Sequence, residues 1–261
     1  MKQKRQRVPK AAEFKQRLLC VAVASAFGGA AYANPTGPQV ANGQASFATM
    51  GNTLSVTNSP NAIINWQSFS IGASETTRFL QQSASSAVLN RVTGIDPSII
   101  LGALQSNGKV FLINPSGVLF GKGSRIDVAG LVASTLDMSN QDFLAGRLNF
   151  ATGSISAGAV TNRGTITTPS GGSVILVAPQ VENSGIINAP NGDVILAAGS
   201  SVRLGDTGAP NVLVEIQAPD NQVVNVGEIV VGGGSASIYA GLISQQGVVR
   251  ADSVSINTAG R

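Results

Sequence analysis

The sequence predicts an all-β fold: a right-handed parallel β-helix, a single-stranded solenoid wound in coils of about 21 residues, with extra-helical strands or loops. Three observations carry that prediction. Gly164, Gly185, Gly227 and Gly247 recur at spacings of 21, 42 and 20, a period of about 21 with one degenerate unit between Gly185 and Gly227. The phase holds beyond glycine. Val160, Val181, Val223 and Ile243 stand four places before the anchors; Asn162, Asn183, Asn225 and Gln245 stand two before; Ile166, Ile187, Ile229 and Val249 stand two after. Finally, only 11% of residues are charged and 5% aromatic, while Gly, Ala, Val, Ile, Ser, Asn and Thr abound, which favours strands and turns over helices. An antiparallel sandwich also has regular short strands, but it gives no reason for one residue type to return at one phase. A unit this small cannot bury its own apolar side chains, so units must stack.

Taken from the amino end, the chain opens with seven basic residues and one acid, Glu13, in its first 17 positions. An apolar run, Leu18 to Ala31, follows, and then Ala31-Tyr32-Ala33, a small-x-small pattern. Residues 1–33 therefore read as a secretory signal peptide, cleaved between Ala33 and Asn34. The run is too short to span a bilayer, which needs about 20 residues. Past Arg17 the chain keeps ten basic and twelve acidic residues, so the overall charge of +4 belongs to the leader. The only cysteine, Cys20, lies in the leader without the small residue that precedes a lipoprotein cysteine, and there is no histidine. Residues 34–261 therefore hold no disulfide, no thiolate or imidazole metal site, and no Ser-His-Asp or Cys-His pair.

Short strands are expected at Ala45 to Thr49, Thr53 to Thr57 and Ile63 to Ile64, then at Asn65 to Gly72 and Thr76 to Gln81, where apolar residues alternate, and around Val88. Pro97 to Leu104 reads equally as one helical turn or a strand. Asn107 to Gly121 sets two apolar runs around Asn114-Pro115-Ser116-Gly117, which suits a type I turn: Asn first, Pro with its preset φ second, Ser third, Gly fourth. Ser134 to Leu148 is the least β-like stretch. Ser139 followed by Asp142 marks a helix start there, so a loop or short helix projects. In the repeats, a second strand follows each anchor at Val174 to Val177, Val194 to Ala197, Ala236 to Tyr239 and Val254 to Ile256. The degenerate unit keeps Val202 in phase and substitutes the run Val212 to Ile216. Stacking would align Asn162, Asn183 and Asn225 as a ladder of amides, with the following glycine supplying a positive φ at the corner. About 11 coils at roughly 4.8 Å each would give a rod about 50 Å long.

Asn65 to Gly72 (with Asn65 and Trp66), Val88 to Gly94 (with Asn90 and Arg91) and Asn107 to Gly121 occur in the order found at the start of filamentous-haemagglutinin-like exoproteins. Across most of residues 40–150 the chain resembles the amino-terminal secretion domain of the two-partner secretion pathway. That family usually has Asn-Pro-Asn-Gly at the turn; here Ser116 takes the third place. The resemblance implies residues 34–150 as the recognition region, with residues 151–261 as repeat coils continuous with it. It implies a partner, an outer-membrane barrel transporter whose periplasmic domains bind the arriving chain, reached through the general secretion machinery. Asn114, Pro115, Ser116, Gly117, Asn65, Trp66, Asn90 and Arg91 are then candidates for transporter recognition or for shaping the coil turns. The protein would be secreted or cell-surface, exported through a periplasm of the Gram-negative type, with a host-cell or bacterial-surface receptor as a further partner.

Other classes fit less well. Polysaccharide-degrading enzymes also use parallel β-helices with clustered carboxylates. Here Asp127, Asp137, Asp142, Asp206, Glu215, Asp220 and Glu228 do not repeat at coil spacing, so solvated turn acids are expected and no enzyme. A free-standing carbohydrate- or surface-binding solenoid is the other alternative, with Trp66, Phe69 and Tyr239 as contacts, although alternating polarity places them in the core. No calcium repeat of the Gly-Gly-x-Gly-x-Asp kind occurs, no cofactor is expected, and no basic cluster remains after the leader to hold nucleic acid. The carboxyl end has no run of barrel-forming strands, so a separate transporter is expected. Arg261 follows a regular coil without a cap, as in a fragment of a longer adhesin.

Overall fold

The computed structural model describes residues 34–151, 157–204, 212–215 and 221–251, and the parallel β-helix expected from the sequence is its fold. Residues 1–33, Asp206, Ile216, Asp220 and Val254 to Ile256 lie outside the described residues. The chain opens with β1 (Gln39–Asn42) and β2 (Ala45–Met50), then enters the first coil as β3 (Thr53–Asn58) and β4 (Ala62–Trp66). The second coil is β5 (Thr76–Leu80), β6 (Ala87–Val92) and β7 (Ser98–Ile100); the third is β8 (Ala103–Ile113) and β9 (Val118–Phe120). The fourth begins as β10 (Arg125–Ser134) and leaves the stack through α1 (Asn140–Leu144) and β11 (Leu148–Ala151). It rejoins at β12 (Ala159–Asn162). A fifth coil follows as β13 (Thr165–Thr167), β14 (Val174–Ala178) and β15 (Gln180–Asn183). The sixth is β16 (Ile186–Asn188) and β17 (Asp193–Ala198), with a second excursion through β18 (Ser201–Leu204) and β19 (Val212–Glu215) before β20 (Gln222–Asn225). β21 (Glu228–Val230), β22 (Ser235–Tyr239), β23 (Leu242–Gln245) and β24 (Val248–Arg250) complete the described stack.

The strands of the coils pair in parallel with their counterparts one coil on, as Val160↔Val181↔Val223↔Ile243 do on one face and Ile166↔Ile187↔Ile229↔Val249 on another. β-Branched side chains suit this arrangement, because each column stacks like on like along the axis. At the amino end β1 pairs antiparallel with β4 and β2 with β3, and Phe47 of β2 meets Trp66 edge-on at 5.6 Å. The first rungs are thereby covered instead of presenting open edges.

There are two cores. The interior of the helix holds the inward columns, among them Ile64, Leu112, Leu176 and Leu196. A second core lies on the outside of the sheet formed by β4, β6, β8, β10, β14 and β17. Its outward column, Ile63↔Leu89↔Phe111↔Val132↔Ile175, is covered by Leu136, Met138, Phe143, Phe150, Val202 and Leu204 from the two excursions. Phe143 of α1 packs edge-on against Phe111 at 5.1 Å. β14 is consequently buried along its whole length on both faces, and its sequence Val-Ile-Leu-Val-Ala shows no polar alternation for that reason.

Three expectations need correction. The degenerate unit is no coil: β18 runs antiparallel to β11 and to β19, and β20 stacks directly on β15, so the 42-residue gap spans one coil plus an inserted hairpin. Val202 kept its apolar phase because it faces the second core. The longest face has eight rungs among the described residues, not about 11, because the excursions and the amino-terminal strands consume chain without adding coils. Last, the anchor glycines are not at positive φ. Their constraint is space: a Cβ on Gly185 would sit 2.2 Å from the Gly164 carbonyl oxygen, on Gly227 2.1 Å from that of Gly185, and on Gly247 2.0 Å from that of Gly227. Only hydrogen lets successive corners close to coil spacing.

The asparagine ladder forms as expected. Asn162 donates to Asn183 at 2.8 Å, Asn183 to Asn225 at 2.8 Å, and Asn225 to Gln245 at 2.9 Å. Asn162, Asn183 and Asn225 have no solvent exposure, so each amide is satisfied by its copy in the next coil. The Ser139 side chain caps α1 by accepting from the Asp142 amide. Pro97 to Leu104 resolves as strand, shared between β7 and the start of β8, whereas Asn65 to Gly72 is strand only as far as Trp66 and continues with isolated bridges at Ser68 and Ile71, as the chain turns the corner that buries Phe69.

Candidate functional site

Asn114-Pro115-Ser116-Gly117 forms the corner between β8 and β9, and the Gly117 amide closes the turn by donating to the Asn114 carbonyl at 3.1 Å. The Asn114 side chain is wholly buried. Its amide donates to the Asp96 carbonyl at 3.0 Å and to Ser98 Oγ at 2.9 Å, and its Oδ1 accepts from the Ser116 amide at 3.0 Å. Ser98 returns a backbone bond to the Gly117 carbonyl, and Gly158 donates to the Pro115 carbonyl at 2.7 Å. One asparagine thus fixes the turn internally and ties it to the coil before, while the turn's backbone holds the point where the first excursion re-enters. Gly117, at φ 129°, is a position where glycine is required by conformation. Pro115 and Ser116 are half-buried, and beside them Ile95, 85% exposed, Asp96 and Pro97 of the preceding coil face solvent.

The other candidates divide between interior and tether. Trp66 and Asn90 are both fully buried, and the indole donates to Asn90 Oδ1 at 2.9 Å while Asn90 donates onward to the Phe111 carbonyl at 3.2 Å. Phe69 joins Trp66 edge-on at 5.6 Å, so both aromatics are core. Arg91, on the outward face of β6, binds Asp137 Oδ1 at 3.2 Å, Asn140 Oδ1 at 2.8 Å and the Met138 carbonyl. It pins the start of the first excursion to the second coil. Asn65, half-buried on β4, lies beside Arg91 in the ladder. The structure brings Asn65 and Arg91 together on one face and Asn90 with Trp66 on the other, and Arg91 is in register with Ile113, the residue before the Asn114 corner.

Sequence reasoning passed over Asp96, Ser98 and Gly158. The register Ser98↔Val118↔Val160 carries the same one-coil logic as the glycine anchors, so extending that period upstream would have placed Ser98 beside the turn. A second glycine column, Gly172, Gly192 and Gly234, was also legible from its spacings of 20 and 42. A Cβ on either of the last two would meet the preceding glycine's carbonyl oxygen at 1.8 Å.

The grooves of the described residues are shallow. One of about 370 Å³ lies between α1, β11 and β18, lined by Asp137, Asp142, Asn149 and Arg203 among others. Its acids are engaged: Asp137 with Arg91, and Asp142 with Ser139, Arg147 and Asn149. The Ser139 hydroxyl first, then Arg147, hold the Asp142 carboxyl below the usual carboxylate range. Among the described residues no group of three metal-ligating side chains forms, and no helix is long and apolar enough to cross a membrane.

The TPS secretion domain model matches residues 31–260. The crystal structure of the HMW1 secretion domain from Haemophilus influenzae superposes with a TM-score of 0.81 at 40% identity, covering 85% of this chain and 60% of that one. A heme/hemopexin-binding protein of H. influenzae strain Rd is 30% identical over 261 residues, 95% of this chain and 26% of the relative. Another protein of that name from H. influenzae is 45% identical over 80 residues, 31% of this chain and 9% of the relative. The chain therefore spans about a quarter of the longer of these matches. A family match over nearly the whole chain, a shared β-helix and the motif order together establish that the chain belongs to the TPS, or two-partner secretion, domain family of exported proteins.

Proposed function

We propose that residues 34–261 are the export address and folding nucleus of a larger adhesin-like protein, read by the periplasmic domains of a separate outer-membrane barrel transporter. The observation that carries this reading is the family match over residues 31–260. The fold supports the route physically. With no cysteine beyond the leader, no disulfide obstructs passage of an unfolded chain. Coils that pair mainly with their neighbours can add one at a time on the far side, and their burial biases movement outward. The product is released or held at the cell surface, and its role is non-catalytic.

The Asn114 corner is the proposed recognition element. Its asparagine amide is out of water in the closed coil, so a transporter that reads that side chain meets it before the coil forms. The haem and haemopexin binding that names the relatives is not assigned to this domain. These 261 residues contain no histidine and one cysteine, Cys20, so outside the leader Met and Tyr are the side chains of the usual axial kinds that they offer.

The test is export of the Asn114→Ala, Pro115→Ala double variant from cells carrying the cognate transporter. Export should be lost while the periplasmic chain persists; normal export removes the assignment. Folding of the purified variant separates the two roles of the corner. A native-like fold with no export assigns recognition, and a disordered stack assigns coil geometry.

A further inference from the structure

β11 and β18 belong to excursions from different coils, the fourth and the sixth, yet they pair along their whole length. The antiparallel register is Leu148↔Leu204, Asn149↔Arg203, Phe150↔Val202 and Ala151↔Ser201. In the ladder, β14 of the fifth coil stands between β10 and β17, so the pair reaches over a whole coil. Its inner face is apolar. Phe150 and Val202 are buried, and with Leu204 they lie in the outer core beside Phe111, Val132, Ile175 and Val177. The first excursion is also stitched at its base. The Asp137 amide donates to the Ala151 carbonyl at 2.9 Å, and the Ala151 amide donates to the Asp137 carbonyl at 3.0 Å. Asp142 of α1 accepts from Arg147 at 2.7 Å and from Asn149 at 3.1 Å, which fixes the helix to β11.

We infer that the β11–β18 pair is a clasp that binds coils four to six into one cooperative block and closes only when the sixth coil is in place. In a simple solenoid each coil feels only its neighbours, so an end coil opens without disturbing the one two places back. Here the sixth coil cannot leave without pulling β18 from β11 and uncovering Phe150 and Ile175, side chains of the fourth and fifth coils. Exposing that apolar surface is unfavourable, so the three coils open together. The consequence for export rests on the reading of this domain as an export address. Coils four and five form reversibly until the sixth stacks, and the clasp then locks all three on the folded side.

Two measurements of hydrogen exchange in the full chain decide it. Neither uses the transporter, so their failure is distinct from failure of the export reading. First, exchange is followed across a series of low urea concentrations. Amides of β10, β11, β14, β17 and β18 should converge on one opening as urea rises, after β23 and β24 have opened separately. Exchange of β11 and β18 through a small opening of their own, with β14 still protected throughout, overturns the inference. Second, Val160→Ala perturbs the fourth coil on the helix interior, where its ladder partners are Val118 and Val181 of the coils on either side. Exchange at β17 and β20 of the sixth coil should become roughly tenfold faster, as at β12 itself. No change in the sixth coil overturns the block. Val202→Ala weakens the clasp from the outer core, and in that background Val160→Ala should no longer speed exchange at β20. Undiminished transmission in that background would assign the coupling to the fifth coil and overturn the clasp.

Discussion

Replacing Asn183 with alanine should destabilise the stack at one defined rung. The side chain has no exposure, accepts from Asn162 at 2.8 Å and donates to Asn225 at 2.8 Å. Its loss strands a donor on one neighbour and an acceptor on the other. Each buried polar group left unpaired costs about 1–3 kcal/mol, so the substitution costs about 2–6 kcal/mol against a total of about 5–15 kcal/mol. Because stability in a solenoid is a sum over neighbouring coils, the loss should be local. Urea unfolding followed by circular dichroism should show an earlier transition. The fluorescence of Trp66, the chain's single tryptophan and packed between Phe47 and Phe69 near the amino end, should move less. The sharper comparison is the triple variant Asn162→Ala, Asn183→Ala, Asn225→Ala. It leaves fewer orphaned groups per residue changed, so it should cost clearly less than the sum of the three single changes. A single variant within about 0.5 kcal/mol of wild type, or a triple variant equal to the sum, would refute the ladder as a satisfied buried network.

Three further outcomes are expected. Gly185→Ala, which forces a Cβ to 2.2 Å from the Gly164 carbonyl, should cost about 1–3 kcal/mol or more by overpacking in urea unfolding. Gly171→Ala, at φ +82° with open space around it, should cost about 1 kcal/mol through backbone strain alone. Arg91→Ala removes its bonds to Asp137, Asn140 and the Met138 carbonyl. Since Asp137 is half exposed, the cost should be only about 1–2 kcal/mol, read as faster proteolysis between residues 137 and 151 without loss of the coil signal. For Asp142, whose pKa is lowered in the fold, the stabilisation is fully present above the ordinary carboxylate value of 3.8. It is lost as pH falls below that toward the folded value. Amide exchange at residues 140–147 should rise over that window, and Ser139→Ala should narrow it.

Much of the architecture was legible because a stacked solenoid writes its contacts into the sequence at a fixed interval. Asn162, Asn183 and Asn225 share a phase because each bonds its copy one coil away, and Val160, Val181 and Val223 do so because each packs on its copy. The same rule misled at Val202. Its apolar alternation satisfies any strand with one buried face, and periodicity alone does not say whether that face turns into the coil interior or against the outer core. The glycines show a related gap. Their recurrence marked a constraint at the corner, but the distinction between a positive φ and the absence of room for a Cβ needs the neighbouring coil in place. At the candidate site, the Asn114 turn was readable from four residues, because Asn, Pro, Ser and Gly each suit one position of a type I turn. Its anchors Asp96, Ser98 and Gly158 were not, since they come from other coils.

The repeat, the ladder columns and the Asn-Pro-Ser-Gly corner follow from the order of the amino acids, because they depend on local turn chemistry and on like residues meeting at one period. Which strands leave the stack, and what they cover, is set only by packing between distant segments. That packing buried Trp66 and Asn90, turned Arg91 into a tether, and paired Asn34 with Thr77 across 43 positions. The Arg91 and Asn34 contacts join segments with no common period, so they exist only once coils and excursions have packed. The corner at Asn114 belongs to both levels: its turn is local, and its burial comes from the coils on either side.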